Sequence, residues 1–338
     1  MIKFIAKGII QDKNRSLLPI IVVSLGVLLT VFLSGWVTGV FSDMVDMNAR
    51  FTTGHVKIMT RAYANNREQV PNDLALLETG ELIEKLQSDY PGMHWVERIY
   101  FGGLLDIPGE DGETRAQAPA SGQAVDLLSP DSEEAGRMNI ARSVVAGRLP
   151  QKQGEALISD EFARRFNVEP GDEVTVFSST MYGSMAFKNF TVSGTLRFGN
   201  TMLDRGAVII DIRDARQAFD MEDATGELLG YFNEGKYLRE KAASVKASFN
   251  EKYSNVEDEF SPVMLTLGDQ EGLDEMLAYS DSVVTLVIFI FVFAMSLVLW
   301  NTGLLGGLRR YGEFGVRLAL GEEKKHIYKT LIYEAVII

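Results

Sequence analysis

Two long runs without a charged side chain lie near the two ends of this 338-residue chain. They cover residues 16–42 and 282–308, and each contains 27 residues without Asp, Glu, Lys or Arg. A helix of that length is roughly 40 Å long, whereas the hydrocarbon core of a bilayer is about 30 Å thick. The runs therefore predict two transmembrane helices that attach the chain to a membrane at both ends.

The charges beside these runs predict the orientation of the chain. Residues 1–15 and 309–329 each have a net charge of +3, whereas residues 43–281 contain 23 basic and 41 acidic residues. Basic flanks favour the cytoplasmic side of a membrane. We therefore expect a cytoplasmic N-terminal segment at 1–15, another cytoplasmic segment at 309–329, and a periplasmic domain at 43–281. Nucleic acid is a poor partner, because so acidic a domain repels phosphates.

Two other interpretations of the first run are weaker. A cleaved signal peptide has an apolar stretch of about 7–15 residues, and here apolar residues continue well beyond the small residues Ser34 and Gly35. A buried helix of a soluble protein would rarely occur as two runs of this length. The chain has no cysteine, which excludes disulfides and thiolate metal sites without locating the protein.

The middle of the chain alternates strand-like and helix-like stretches. Strands are predicted at 54–60, 154–158, 174–176, 187–195 and 207–212, with one or two more at 96–107, and helices at 80–89, 160–166, 213–219 and 236–249. Thr79 and Ser159 are the predicted N-caps, and Asn167 is predicted to close the helix that begins after Ser159. Polar residues at 108–116 and 129–137 predict exposed loops. We expect an α+β domain of two lobes, one of them assembled from residues near both membrane helices.

No pattern in the sequence predicts catalysis or metal binding. The three histidines, His55, His94 and His326, are not at metal-ligand spacing, and there is no G-x-S-x-G or calcium-loop pattern. Both common nucleotide-binding glycine patterns are missing too. We therefore predict no catalytic, cofactor-binding or metal-binding residue, and if the protein uses ATP, another chain binds it.

Polar and small residues inside the apolar runs predict helix packing. Gly35 and Gly39 form a G-x-x-x-G pattern, which lets helix backbones approach closely, although glycine is also simply common in membrane helices. Asn301 is polar at membrane depth in the second run, so it is expected to face protein rather than lipid.

A charged, amphipathic segment follows the second run and ends at Gly321, before another apolar stretch. A plain basic flank would explain Arg309 and Arg310, but not the ordered residues that follow. The segment resembles the motif R-x-x-E-[IF]-x-[ILV]-x-x-A-x-G of the MacB, lipoprotein-release and FtsX superfamily of ABC transporter permeases. The matching residues are Arg310, Glu313, Phe314, Ala319 and Gly321, and Glu334 matches a Glu early in that family's third helix. The order of elements from Gly154 to Gly194 also resembles that of the lipoprotein-release permeases.

The resemblance implies a non-catalytic permease of the bacterial inner membrane, with a periplasmic domain of the MacB type. It implies a second permease chain, identical or paralogous, and a cytoplasmic ABC ATPase dimer. The residues implied to couple to that ATPase are Arg309, Arg310, Glu313, Phe314, Arg317, Ala319 and Gly321. The expected substrate is a lipoprotein or another lipid-attached molecule taken from the membrane lipid.

Three alternatives stay open beside lipoprotein release. MacB-like export of a peptide, antibiotic or toxin is one. Regulation of a cell-wall hydrolase in the manner of FtsX is another, although its extracytoplasmic part is usually much shorter. A two-helix sensor would need a signalling module after the second helix, where an apolar run begins instead. Residues 330–338 begin a third membrane helix that needs about 20 residues to cross, so the sequence is expected to be truncated there.

Overall fold

A computed structural model of the chain describes residues 13–109, 111, 113–199, 204–270 and 273–337. The chain divides into two compact units. One unit is the middle segment Val45–Leu273, and the other is formed by the flanking segments Met1–Met44 and Asp274–Ile338. The middle segment is thus a folded unit with bounds close to those predicted for the periplasmic domain.

Helices form the flanks and also occur within the middle segment. In chain order they are α1 (Lys13–Asn48), α2 (Arg61–Asn66), α3 (Thr79–Asp89), α4 (Glu134–Arg137), α5 (Ile140–Ser143), α6 (Asp160–Phe166), α7 (Ile212–Phe219), α8 (Arg239–Tyr253), α9 (Leu273–Arg309), α10 (Tyr311–Ala319) and α11 (Lys324–Ile337). A π-helical turn at Ala49–Thr53 follows α1 directly, and 3-10 turns lie at Arg67–Gln69 and Asn72–Leu74.

The strands all lie in the middle segment. In chain order they are β1 (Val56–Thr60), β2 (Leu76–Leu77), β3 (Met93–Pro108), β4 (Thr114–Val125), β5 (Val144–Gly147), β6 (Glu155–Ser159), β7 (Glu173–Ser179), β8 (Met185–Leu196), β9 (Ala207–Asp211), β10 (Ala224–Thr225), β11 (Glu227–Phe232) and β12 (Pro262–Thr266). Strands β2 and β10 pair only with each other.

In the part of the chain that the structure describes, two helical spans are long and apolar enough to cross a membrane: Ile20–Thr53 and Ser282–Arg309. Within the helical unit they approach each other at Gly26, which is buried. A Cβ atom at Gly26 would lie 2.2 Å from Sδ of Met295. The absence of a side chain at Gly26 therefore makes room for this methionine.

An antiparallel four-stranded sheet occurs in the order β12, β1, β11 and the first part of β3. Its edge is formed by the first and last strands of the middle segment, with Val56 opposite Thr266. One face packs against α3 and α8 around an apolar core that includes Leu86, Trp95 and Phe249. The predicted lobe built from residues near both membrane helices is thus confirmed.

The second half of β3 belongs to a barrel of six strands. The pairings run from β3 through β4, β9, β6, β8 and β7 and return to β3. Alternate residues of these strands fill its apolar core, among them Phe101, Ile158 and Val192. Phe101 lies opposite Gly122, where a Cβ would come within 1.9 Å of the phenylalanine ring. Glycine at this position therefore lets the ring enter the core.

Local capping was predicted correctly at one helix and wrongly at another. The Ser159 hydroxyl accepts a hydrogen bond from the Phe162 amide, and Asn167 closes α6 with a φ of 50°, as predicted. The N-cap of α3 is Glu78 rather than Thr79. The Thr79 hydroxyl instead donates to Glu97 of β3, at 2.9 Å, so a tertiary contact uses the side chain that was expected to cap the helix.

The predicted exposed loop at 129–137 is wrong in its second half. Residues 134–137 form α4, and Glu134 is buried. The loop predicted at 108–116 is shorter than expected, because β3 extends to Pro108 and β4 begins at Thr114.

Candidate functional site

The two faces of the four-stranded sheet differ in chemistry. Side chains alternate between the faces of a strand, so one face carries the apolar core and the other carries polar groups. Several of these polar groups are nevertheless enclosed. The buried residues of this polar face include Lys57, Arg98, Glu227 and Tyr231.

Arg98 of β3 binds the end of the first long helix. Its Nη1 donates to the carbonyl oxygen of Phe51 at 3.0 Å, and its Nη2 donates to that of Arg50 at 2.8 Å. Both carbonyls belong to the π-helical turn after α1. The last carbonyls of a helix lack partners within the helix and carry partial negative charge, which a guanidinium group complements.

Two tyrosines complete the contact with the helix end. The Tyr231 hydroxyl donates to the Ala49 carbonyl oxygen at 2.9 Å, and the Tyr100 hydroxyl donates to that of Phe51 at 3.2 Å. We call Arg98, Tyr100 and Tyr231, together with the carbonyls of residues 49–51, the helix-end socket. Three consecutive carbonyls are therefore bonded by side chains from two strands of the sheet.

A carboxylate from α4 holds the arginine of the socket. Arg98 Nε donates to Oε2 of Glu134 at 2.9 Å, and both side chains are almost fully buried. The other oxygen of Glu134 forms an ion pair with Arg137. The Arg137 guanidinium lies 4.3 Å from the centre of the Tyr231 ring. Arg98, Glu134, Arg137 and Tyr231 thus form one connected network, and both Arg98 and Tyr231 donate to the helix end.

Electrostatics keep the Arg98 side chain charged. Burial acts to lower the pKa of Arg98, but the Glu134 carboxylate together with Tyr231 and Tyr100 outweighs it and holds that pKa above its usual value. A second buried pair on the same face joins Lys57 Nζ to Oε2 of Glu227 at 2.6 Å. There burial prevails and lowers the pKa of Lys57, although Glu227 opposes the shift. Among the described residues, no hydrogen bond links this second pair to the helix carbonyls.

His55 lies just beyond the socket and is also enclosed. Its Nδ1 accepts a hydrogen bond from the Phe232 amide at 2.9 Å, so this nitrogen carries no proton. Burial, assisted by the Arg137 guanidinium, lowers the pKa of His55 to about 4. His55, Arg137 and Arg50 line a cavity of about 670 Å³. Among the described residues no cluster of His, Cys, Asp or Glu could hold a metal ion.

The residues implied to contact an ATPase lie in one continuous stretch. They are Arg309 at the end of α9, Arg310 as the N-cap of α10, Glu313, Phe314, Arg317 and Ala319 within α10, and Gly321 just after it. No residue of α10 is buried, and both Val316 and Leu320 are largely exposed. Arg310 Nε lies 3.5 Å from Oε2 of Glu313. The structure thus presents this stretch as an exposed amphipathic helix, and its contact with an ATPase stays a prediction.

The residues predicted to pack membrane helices lie on exposed surface of the helical unit. A Cβ atom at Gly35 or Gly39 would meet nothing within 4 Å, and Asn301 is exposed on α9. The close approach of α1 and α9 occurs at Gly26 instead. A role of Gly35, Gly39 and Asn301 in packing against another chain remains a prediction.

Sequence reasoning missed the socket. Lys57 and Arg98 are charged residues inside predicted strands, which was an available signal, since a charge at a core-facing position needs a partner. The partner of Arg98 could not be found in the same way. Glu134 lies in an acidic stretch that is typical of a solvated surface.

These features define a class of protein: a folded α+β domain that is joined at both ends to apolar helices of membrane-spanning length. The profile of the MacB-like periplasmic core domain matches residues 16–254, and that of the FtsX-like permease C-terminal domain matches residues 285–338. The chain therefore belongs to the MacB and FtsX-like permease family. Proteins of this family are membrane-embedded subunits of ABC transporters with a periplasmic domain.

The solved structures that are similar to this chain include the periplasmic region of MacB from Actinobacillus actinomycetemcomitans. The two share 10% sequence identity with a TM-score of 0.42, over 68% of this chain and 96% of that one. No curated protein is similar enough to this chain to count as a match.

Proposed function

We propose that this chain is a non-catalytic permease subunit that couples ATP hydrolysis by a partner ATPase to movement of its periplasmic domain. The observation that carries the proposal is the family membership over both the middle segment and the C-terminal helices. The family implies an ATPase partner and a pair of permease chains. ATP would be bound by the partner, and the N-terminus and residues 309–329 would lie in the cytoplasm with it.

The exposed helix α10 supports an ATPase contact in this region. The helix and its two caps combine exposed apolar side chains, such as Val316 and Leu320, with the charged residues Arg310, Glu313 and Arg317. Such a helix fits a groove that has apolar walls and a charged rim. Because a helix moves as a rigid element, a shift at α10 would pass to the membrane helices beside it in the chain.

The substrate that we propose is a lipoprotein or another lipid-attached molecule of the inner membrane. The order of elements in the middle segment supports this class. The hairpin of β7 and β8 adds apolar contact surface, since Tyr182, Met185 and Phe187 are each at least 70% exposed. Exposed apolar surface of this kind marks sites of contact with other molecules.

Co-purification tests the ATPase contact. The full-length permease would be co-expressed with the ATPase encoded beside its gene, and Glu313→Ala and Arg310→Ala are expected to reduce the amount of ATPase recovered. Glu322→Ala, outside the motif, is the control. Unchanged recovery with both motif variants would contradict the coupling role.

Cross-linking in cells tests the substrate. Photo-crosslinkers at Tyr182 and Phe187 are expected to capture lipid-attached proteins. Capture of secreted peptides alone would favour MacB-like export, and capture of cell-wall hydrolases alone would favour an FtsX-like regulator.

A further inference from the structure

The contacts in the helix-end socket are formed by residues far apart in the chain. Arg98 is separated from its carbonyl partners by 47 and 48 positions, and Tyr231 is separated from Ala49 by 182. Helix ends are more commonly capped by nearby glycines, by local side chains or by water. The end of α1 is therefore bonded directly to strands of the middle segment, among them β3 and β11.

Stability alone does not explain why the socket uses a buried ion pair. Taking two charges out of water costs several kcal/mol per ion, and apolar residues of similar volume often give equal or greater stability. Hydrogen bonds to fixed carbonyls are directional, whereas apolar contacts are not. They define a single position for the helix end, because each guanidinium N–H must point at its acceptor.

The pair Lys57–Glu227 offers an internal comparison. It lies on the same face of the same sheet, and its side chains are similarly buried, at 3% and 7% exposed. Arg98 and Glu227 are directly opposite each other in the pairing of β3 with β11. The two pairs therefore share an environment, but only the pair of Arg98 with Glu134 contacts the carbonyls of α1.

We propose that Arg98, held by Glu134, is a positioning residue that locks the end of the first membrane helix to the periplasmic sheet. This inference rests on the proposed transport function. When the ATPase moves the first membrane helix, the lock makes the sheet follow it, because the last turn and β3 are joined by directional bonds. Without the lock, the helix and the sheet stay connected through the chain at residues 52–55 but shift relative to each other.

The test compares two double variants of the full-length permease in complex with its ATPase in lipid. Arg98→Met with Glu134→Gln removes the lock and keeps an amide oxygen for Arg137. Lys57→Met with Glu227→Gln removes the same two charge types from the same sheet face, without a contact to α1. The chain has no cysteine, so Val256→Cys, at a position 79% exposed, provides one spin-label site per permease chain. The distance between the labels of the two permease chains is measured with and without ATP.

We expect the lock variant to show less than half of the ATP-dependent distance change of the parent protein, with an ATPase rate within twofold of the parent. The control pair is expected to keep the full change. A full change in the lock variant would overturn the proposal, as would an equal loss in both double variants. Tyr231→Phe removes a single hydroxyl and is used if the double variant fails to fold; it is expected to show a partial loss, and no loss would overturn the proposal. If the parent protein shows no ATP-dependent change, the transport function itself fails, and the lock with it.

Discussion

The two ends of the folded middle segment are attached by different chemistry. At the incoming end, Arg98, Tyr100 and Tyr231 bond the last carbonyls of the first long helix from distant strands. At the outgoing end several of the side-chain contacts are local. Asp269 accepts hydrogen bonds from the amide and hydroxyl of Thr266, both at 2.7 Å, and Gln270 donates to the Thr266 carbonyl oxygen at 3.1 Å.

The difference also extends to burial. Arg98 and Glu134 are at most 1% exposed, whereas the ion pair of the outgoing end, Lys246 with Asp269, is about 30% exposed on both sides. A buried contact with several hydrogen bonds holds one geometry, whereas water competes for the hydrogen bonds of a partly exposed ion pair. The ion pair at the incoming end is therefore shielded from water, whereas the one at the outgoing end is partly solvated.

The largest expected effect is at Glu134. Replacing Glu134 with Gln leaves the Arg98 charge buried without a carboxylate, which we expect to lower the free energy of unfolding by about 3–5 kcal/mol. Denaturant unfolding of the purified chain in detergent measures this loss. Glu133→Gln, which changes an exposed carboxylate of the neighbouring residue, is the control. A loss below about 1 kcal/mol would contradict the prediction, because it would mean that the ion pair of Arg98 with Glu134 contributes no more than an exposed pair.

The second effect is a pH dependence at His55. The pKa of His55 is about 4 in the fold, against an ordinary value of 6.5, so the unfolded chain takes up the proton first as the pH falls. Above pH 6.5 the titration of His55 does not change the free energy of unfolding. As the pH falls from 6.5 to 4, it lowers that free energy by roughly 3 kcal/mol in total. Unfolding measured across this range should show a shallower slope for His55→Asn, which keeps an acceptor for the Phe232 amide. Equal slopes for the two proteins would contradict this prediction.

Much of the fold was predictable because the signals were local. The N-cap at Ser159 and the end of α6 at Asn167 depend on residues within a few positions of each other. The strand β9 was predicted from a short apolar run. The prediction of Thr79 as an N-cap was wrong, because its hydroxyl donates a hydrogen bond to Glu97, 18 positions away. A capping prediction that considers only neighbouring residues cannot identify such a partner.

The candidate functional residues likewise include some that the sequence predicts and some that it does not. The stretch from Arg309 to Gly321 was recognisable because its residues occur in one ordered motif. The socket was not recognisable, because its members and the carboxylate of Glu134 come from four separate segments of the chain. Glu134 shows the difficulty well, since nothing in its acidic surroundings distinguishes a buried carboxylate from a solvated one.

The third effect is a backbone strain at Gly54, directly after the π-helical turn. Gly54 has φ 61° and ψ −171°, a conformation that only glycine adopts readily, and a Cβ there would lie 2.8 Å from the Val56 carbonyl oxygen. Gly54→Ala is expected to cost about 1–3 kcal/mol in unfolding experiments. Gly235→Ala is the matched control, because Gly235 also has a positive φ, of 69°, but no atom lies within 4 Å of its Cβ position. Equal losses would show that the close approach at the incoming end adds nothing to the strain.

The smallest effect is expected at the outgoing end, in the variant Lys246→Met. Its ion pair with Asp269 is about 30% exposed on both sides, and pairs of this kind contribute about 0–1 kcal/mol. The Met side chain keeps the apolar stem of the lysine, so only the charge is lost. Denaturant unfolding under the conditions used for Glu134→Gln makes the two ends directly comparable. If Lys246→Met lowered the free energy of unfolding as much as Glu134→Gln does, burial of the ion pair at the incoming end would not distinguish the two ends.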